Sequence, residues 1–301
     1  MFTQTGLPAT IKDATGIEIA ISQFSWKGFA VKLSDEQERT YREKGYLLLP
    51  GLFSRAEVAV LEDGMAQVLK RDGPEVARER DGTVHLVYGV HLFDDRLFAL
   101  SRHPRIVEPC RKLTGGEVFV HQSRVNAKQF HGAMVDWHQD FGIYHRVDGL
   151  PASRGIVVAV FLDEVTACNA PVMCLPGSHG EGVIEAAVNP DGEVDQAARY
   201  RYDISRDTMA RLVERFGVEA VMGPAGSMLL MDGNLVHGSS VNMTPMRRAI
   251  LYINITDTHN RGAFDRPEYQ AARDFSPLES LDDDCLMKWS APGESEERVC
   301  E

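Results

Sequence analysis

Positive charge is scarce in this chain: 32 lysines and arginines face 44 aspartates and glutamates, for a formal net charge of -12. Phosphate backbones and anionic lipid both need a concentrated positive surface, which argues against nucleic acid and membrane partners. A small molecule is the expected partner. Cysteine is scarce too. Cys110, Cys168, Cys174, Cys285 and Cys300 are odd in number and include no CxxC pair, which argues against a disulfide framework and against a thiolate zinc site. Reduced thiols and a cytoplasmic location are expected. Long apolar runs are also missing, since nothing approaches the roughly 18 residues that a membrane span requires. Met1 to Asp13 lacks the basic start and apolar run of a secretory signal.

What remains is the composition of an ordinary globular protein, 44% hydrophobic and 25% charged. The 301 residues are read as one domain. Residues 1–32 form an N-terminal extension and 33–116 a helical flank with scaffold strands. Residues 117–275 form the β core, with an insertion at about 181–224, and 276–301 an acidic, loosely held tail.

Two capping boxes punctuate the flank. Ser34 with Gln37 predicts a helix over 35–44 stopped by Gly45, and Ser54 with Glu57 predicts a second ending near Arg71. Between them Tyr46 to Leu49 reads as a strand. A segment at 84–90 and a helix-like run at 104–113 follow as scaffold. From Val118 onward Val, Phe, Ile and Leu recur in short runs broken by Gly, Pro and Asn. Strands are predicted at 117–126, 134–139, 155–163, 172–175, 227–232 and 247–256, with a helix at 205–216. This density of short strands predicts a mainly β fold with flanking helices, an antiparallel sandwich or jelly roll of the cupin-like kind.

The chemistry concentrates in Trp137-His138-Gln139-Asp140-Phe141 and in a later histidine, His237. If His138 and Asp140 lie on a strand, the period of two turns both to one face, where a metal can bridge them. With His237 they make two histidines and one carboxylate, the ligand set of non-haem Fe(II) oxygenases. Alone, His-x-Asp is weak, because structural histidines outnumber ligands. Arg248, on the next predicted strand, strengthens it: a planar guanidinium fork suits the distal carboxylate of 2-oxoglutarate. Arg247 should point to the opposite face as surface charge.

Four ordered blocks resemble the phytanoyl-CoA dioxygenase superfamily. They are His121-Gln122-Ser123-Arg124-Val125-Asn126, Trp137 to Phe141 with Asp148-Gly149-Leu150-Pro151, Leu175-Pro176-Gly177-Ser178-His179, and Asn234 to Ser239 running on through Asn242 to Arg248. Within the superfamily they are most similar to ectoine hydroxylase and its amino-acid-hydroxylating relatives. The resemblance implies a double-stranded β-helix and Fe(II) held by His138, Asp140 and His237. It also implies 2-oxoglutarate anchored by Arg248 and O2 as co-reactant. Gln122 would lie in the cavity, and Asn126 and Ser239 would hydrogen-bond the cosubstrate, though each is short enough to serve a turn or strand instead. Arg124 is either a clamp for a substrate carboxylate or a charge paired with Asp136 or another acid. The Pro-Gly-Ser-His block is read as structural, which keeps His179 out of the metal site.

The chain departs from ectoine hydroxylases just after the His-x-Asp pair. Gly142, Ile143 and Tyr144 stand where they carry Glu-Thr-Trp, so Ile143 and Tyr144 are expected on an altered substrate wall. The expected reaction is hydroxylation of an unactivated C-H bond in a free amino acid or cyclic imino acid, leucine-, proline- or pipecolate-like. The enzyme would work as a monomer or homodimer. Ectoine, or another natural-product intermediate, is the alternative substrate. A carboxylate at Asp140 favours hydroxylation over halogenation. A zinc-type metallohydrolase with the same ligands and a binding protein without activity are the other classes. Sequons at Asn242 and Asn254 are read as coincidence.

Overall fold

The computed structural model describes residues 10–12, 18–20, 32–79, 81–188, 202–263 and 265–289. Cys300 and the last part of the acidic end lie outside them. Strand β1 (Thr10–Lys12) pairs with β2 (Glu18–Ala20). Helix α1 (Asp35–Lys44) carries the predicted capping box, and Gly45 closes it in the left-handed region at φ 76. A Cβ on Gly45 would fall 2.4 Å from His179 Nδ1, so space as well as conformation requires glycine there.

The flank continues through β3 (Tyr46–Leu49), α2 (Arg55–Val68), β4 (Val76–Arg78), β5 (Val84–Tyr88), α3 (Asp95–Ser101) and α4 (Pro104–Thr114). Then come β6 (Val118–Lys128), β7 (Val135–His138), α5 (Asp140–Val147), β8 (Gly155–Phe161), β9 (Val172–Cys174), β10 (Ala187–Val188) and β11 (Tyr202–Asp203). The described core ends with α6 (Arg206–Phe216), β12 (Glu219–Val221), β13 (Met228–Asp232), β14 (His237–Ser239) and β15 (Arg248–Asp257).

Besides the pairs β1-β2 and β10-β11, the strands form a seven-stranded sheet in the order β3-β13-β8-β15-β6-β5-β4 and a four-stranded sheet in the order β12-β9-β14-β7. The fold is mainly β, a cupin-type jelly roll with helices outside the larger sheet. That sheet is buried on both faces, which is why β8 reads Ile-Val-Val-Ala-Val-Phe without polar alternation. On one face Val158, Val160, Leu251 and Ile253 pack with Leu61, Leu97 and Ile106 of the helices. On the other Val157, Ala159, Phe161 and Leu229 pack against Val172, Cys174 and Val221 of the smaller sheet.

A bulge in β6 governs which residues face which way. Asn254 pairs with Gln122, and the next residue, Ile255, pairs with Val120, so His121 is an extra residue on its strand. Val118 and Val120 therefore join the helix-side core. Beyond the bulge Gln122, Arg124, Asn126 and Lys128 lie opposite Asn254, Tyr252, Ile250 and Arg248 and face the smaller sheet. The extra His121 turns its Nε2 to Asp148, 3.0 Å away, and Arg266 grips the same carboxylate.

Three expectations need correction. The insertion is shorter than 181–224, because Glu219–Val221 is the edge strand of the four-stranded sheet. The 276–301 segment is not loosely held throughout: Cys285 and Leu286 are buried in the main core, and Arg105 Nε donates to Asp283 at 2.7 Å. Asp140 is not on a strand. Its helix, α5, was not anticipated, nor was α3.

Candidate metal centre and cleft

His138 is the last residue of β7, Asp140 the first of α5, and His237 the first of β14, directly across the ladder from His138. One ligand atom from each of the three lies within 4.8 Å of the others, and all three residues are buried. His138 Nε2 is 3.7 Å from Asp140 Oδ1, and His237 Nε2 is 3.9 Å from Asp140 Oδ2. His138 donates from Nδ1 to the Asp136 carbonyl at 2.7 Å, and His237 from Nδ1 to the Leu235 carbonyl at 2.9 Å. These bonds assign both tautomers and turn both Nε2 lone pairs inward, the form in which imidazole binds a metal. Gln139, between the ligands, is locked by bonds to the Gly182 and Asn234 carbonyls, which sets the bend from strand to helix.

The electrostatics suit a divalent cation. Burial works against the Asp140 charge, but Arg124 and the two imidazoles outweigh it and hold the carboxyl well below the usual carboxylate range. Burial, with His138 adding to it, pushes His237 down to about 4, so this imidazole is neutral at physiological pH. Two imidazole nitrogens and one carboxylate fit Fe(II) or a similar divalent ion.

A cleft open to solvent runs past this centre. Its buried, inner lining is Arg248, Asn126, Ser239, Tyr252, Val172, His85 and Leu86, and its more exposed, outer lining is Glu79, Met134, Val135 and Asp136. Arg248 is only 1% exposed, and it donates from Nη1 to Asn126 Oδ1 at 2.8 Å and from Nε to the Ala170 carbonyl at 3.0 Å. Ala170 is held in the left-handed region (φ 67), a costly conformation for alanine that aims this carbonyl. No carboxylate lies within 4.0 Å of Arg248 among the described residues. An anion entering the cleft would meet a buried cation already oriented by its neighbours.

The remaining sequence-derived residues divide. Asn126 and Ser239 line the cleft. Arg124 lines the cleft as well and is ion-paired with Asp140, not Asp136: Nη2 lies 3.3 Å from Asp140 Oδ2, while Nη1 donates to Gln122 at 3.0 Å and Asn254 at 3.1 Å. Gln122 stands behind Arg124, its amide given to the Gln270 carbonyl, and is off the cleft wall. The wall expected from Ile143 and Tyr144 is displaced. Tyr144 bonds to Asn254 and lines a separate small cavity with His121, Phe141 and Leu150, while Ile143 lines neither. His179 accepts its structural role, bonding to the Arg42 carbonyl at 3.0 Å, and Arg247 pairs outside the cleft with Asp163 and Glu62.

Two polar residues on the inner face escaped the sequence reading. Lys128 continues the series Gln122, Arg124, Asn126 at the strand period, and that period was the available signal. Asn254 was set aside with its sequon; it is buried, 3.5 Å from Asp140 Oδ2, and continues the series 248, 250, 252 on β15.

Comparison with known proteins gives a consistent set. The family model described as Phytanoyl-CoA dioxygenase (PhyH) matches residues 41–250. The chain is 34% identical over 255 residues to L-proline trans-4-hydroxylase of Streptomyces griseoviridis, covering 82% of this chain and 95% of that protein. It is 35% identical over 274 residues to the ectoine dioxygenase of Bordetella parapertussis, covering 84% and 88%. Among solved structures, EctD from S. alaskensis with 2-oxoglutarate and 5-hydroxyectoine superposes with a TM-score of 0.72 at 28% identity, covering 86% of this chain and 90% of that one.

Proposed function

The chain belongs to the phytanoyl-CoA dioxygenase family, and from that premise we propose that it hydroxylates an unactivated C-H bond of a free amino acid or cyclic imino acid. It is an Fe(II)- and 2-oxoglutarate-dependent dioxygenase acting on a small molecule. The observation that carries the reading is the convergence of His138, Asp140 and His237 at a cleft that buried Arg248 also lines. Family membership sets aside the metallohydrolase and the inactive binding protein.

We assign iron to the three converging residues and the distal carboxylate of 2-oxoglutarate to Arg248, with Asn126 and Ser239 beside it. Bound iron, with 2-oxoglutarate and O2, supplies the oxidising power, one oxygen atom entering the substrate as hydroxyl and the other entering succinate as CO2 leaves. The chain's own part is placement. Arg124 keeps the Asp140 carboxylate ionised and faces it towards the histidines, and Arg248 fixes the cosubstrate's far end so that its keto acid reaches the metal.

The outer cleft supports the substrate class. Glu79 and Asp136 offer negative charge to an ammonium, and Met134 and Val135, with Leu86 further in, offer apolar wall to an aliphatic chain or ring. The proline hydroxylase relative points the same way. Ectoine is the second reading, favoured by the similarly close ectoine dioxygenases. We place the enzyme in the cytoplasm: no helix of the described residues is long and apolar enough to cross a membrane, and Cys110, Cys168, Cys174 and Cys285 are free thiols.

The test is a screen of leucine-, proline- and pipecolate-like compounds, with ectoine alongside, for substrate-dependent succinate formation and a product heavier by one oxygen atom. Turnover of ectoine alone would replace the amino-acid reading. Succinate formation without the added oxygen would replace hydroxylation by desaturation.

A further inference from the structure

Lys128 ends the polar face of β6, directly across the ladder from Arg248. It is 1% exposed, and no carboxylate lies within 4.0 Å of its ammonium among the described residues. Like charges opposite one another on a sheet face are destabilising, and burial without a counter-ion adds to that cost. Lys128 Nζ donates to Ser239 Oγ at 2.8 Å and to the Ser240 carbonyl at 2.9 Å. Ser239 and Arg248 line the cleft, and Lys128 stands behind Ser239. An ammonium has donors only, so a charged Lys128 makes Ser239 Oγ an acceptor and leaves the hydroxyl proton to be given elsewhere.

We propose that Lys128 is a positioning residue for the cosubstrate: it orients Ser239 so that the hydroxyl donates to the same distal carboxylate that Arg248 grips. The inference rests on the reading of the inner cleft as the 2-oxoglutarate site. The anion completes the site by giving buried Arg248 a counter-charge and by favouring the charged form of Lys128.

A proton accompanies it. Burial, with Arg248 adding to it, pushes Lys128 down to about 6, against the opposing pull of Glu79. The amine is then largely uncharged above that value, and an incoming carboxylate raises it again. Between the two values, binding takes up a proton, and affinity falls about tenfold for each unit that pH rises. Below about 6 the amine is charged in both states, and this dependence disappears. The other ionisable groups around Lys128 are Arg248 on β15, His85 on β5, Glu79 and Asp81 between β4 and β5, and His131 after β6. His85 is the competing proton acceptor, since burial lowers it too.

The experiment is calorimetric titration of the full-length, Mn(II)-loaded protein with 2-oxoglutarate and with pyruvate, which keeps the keto acid and lacks the distal carboxylate. Buffers of different ionisation enthalpy count the protons. Lys128→Met should raise the 2-oxoglutarate Kd about tenfold to a hundredfold, the effect of losing a hydrogen bond from a charged group, and leave the pyruvate Kd unchanged. The same substitution should do much less in a Ser239→Ala background. Proton uptake near pH 8 should vanish in Lys128→Met and survive in His85→Gln. Wild-type 2-oxoglutarate affinity in Lys128→Met, an equal loss for pyruvate, or undiminished proton uptake would each overturn the proposal. Should Lys128→Met not fold, Lys128→Gln gives the same readings. A wild type that binds pyruvate but gains nothing from the distal carboxylate overturns the assignment of the inner cleft itself.

Discussion

The two faces of β6 and β15 come from the same strands, are equally dry, and have opposite character. Towards the helices, Val125, Ala127, Ala249, Leu251 and Ile253 are apolar and need nothing but neighbours. Towards the cleft, Gln122, Arg124, Asn126, Lys128, Arg248 and Asn254 are all buried, and each must find a polar partner or lose stability. Some of those partners are other members of the same face, others are the fixed carbonyls of His85, Ala170, Ser240 and Gln270 and the Ser239 hydroxyl, and one, the Asp140 carboxylate, belongs to the candidate metal centre. One face carries the stability of the barrel, and the other holds charge in place for chemistry. If that division is real, substitutions on the two faces should separate in what they damage.

The largest effect belongs to Asp140→Ala, which removes a metal ligand and the partner of Arg124. Succinate formation should fall by at least about a thousandfold, the scale seen when one member of a catalytic unit is removed. Substantial turnover by this variant under ordinary buffer would break the assignment of the triad. On the opposite face, Leu251→Ala should cost about 2–5 kcal/mol in urea unfolding, while the folded enzyme keeps its KM for 2-oxoglutarate. A changed KM would show that the faces are not independent. Arg248→Lys should raise that KM roughly tenfold, because a point charge cannot reproduce the planar fork. Melting temperature should move much less than for Leu251→Ala.

The smallest effect tests the bulge that separates the two registers. Burial opposes the Asp148 charge, yet hydrogen bonds from His121 and Arg266 outweigh it and hold its carboxyl below the usual range. A depressed folded value means that the stabilisation is complete above the unfolded value of about 3.9 and is lost as pH falls through it towards the folded value. Asp148→Asn should therefore cost about 1–3 kcal/mol at pH 7. The gap to wild type should close on acidification, as urea titrations at stepped pH would read. A gap that stays constant would mean the charge of Asp148 does not hold the bulge.

Much of this was legible in the sequence, because local signals carried it. Both capping boxes mark their helices, and Tyr46–Leu49 is a strand end to end. The ordered blocks around His121, Trp137, Leu175 and His237 pointed to the three residues that converge, although not by way of a shared strand face: the structure uses a strand end and a helix start. Strict alternation also fails in β6, where it would put Val118 and Val120 on the face of Gln122. A bulge is one unpaired residue, and nothing in the composition near His121 announces it. The part of the cleft around Glu79 and His85 was not legible at all. Glu79 and His85 come to share a cleft with His138 and His237 only after the sheet closes, so adjacency along the chain pointed to Ile143 and Tyr144 instead.

The tethers on the two ligand histidines have a consequence for how this site can change. In many metal centres the imidazole is oriented by a carboxylate side chain, which a single codon change can delete. Here the acceptors are the main-chain carbonyls of Asp136 and Leu235, each two residues before its histidine. Every amino acid brings the same carbonyl, so replacing either residue alters a side chain and leaves the acceptor in place. The outer cleft, which contains Asp136, is thus free to drift towards new substrates while the tautomers of the iron ligands are inherited unchanged.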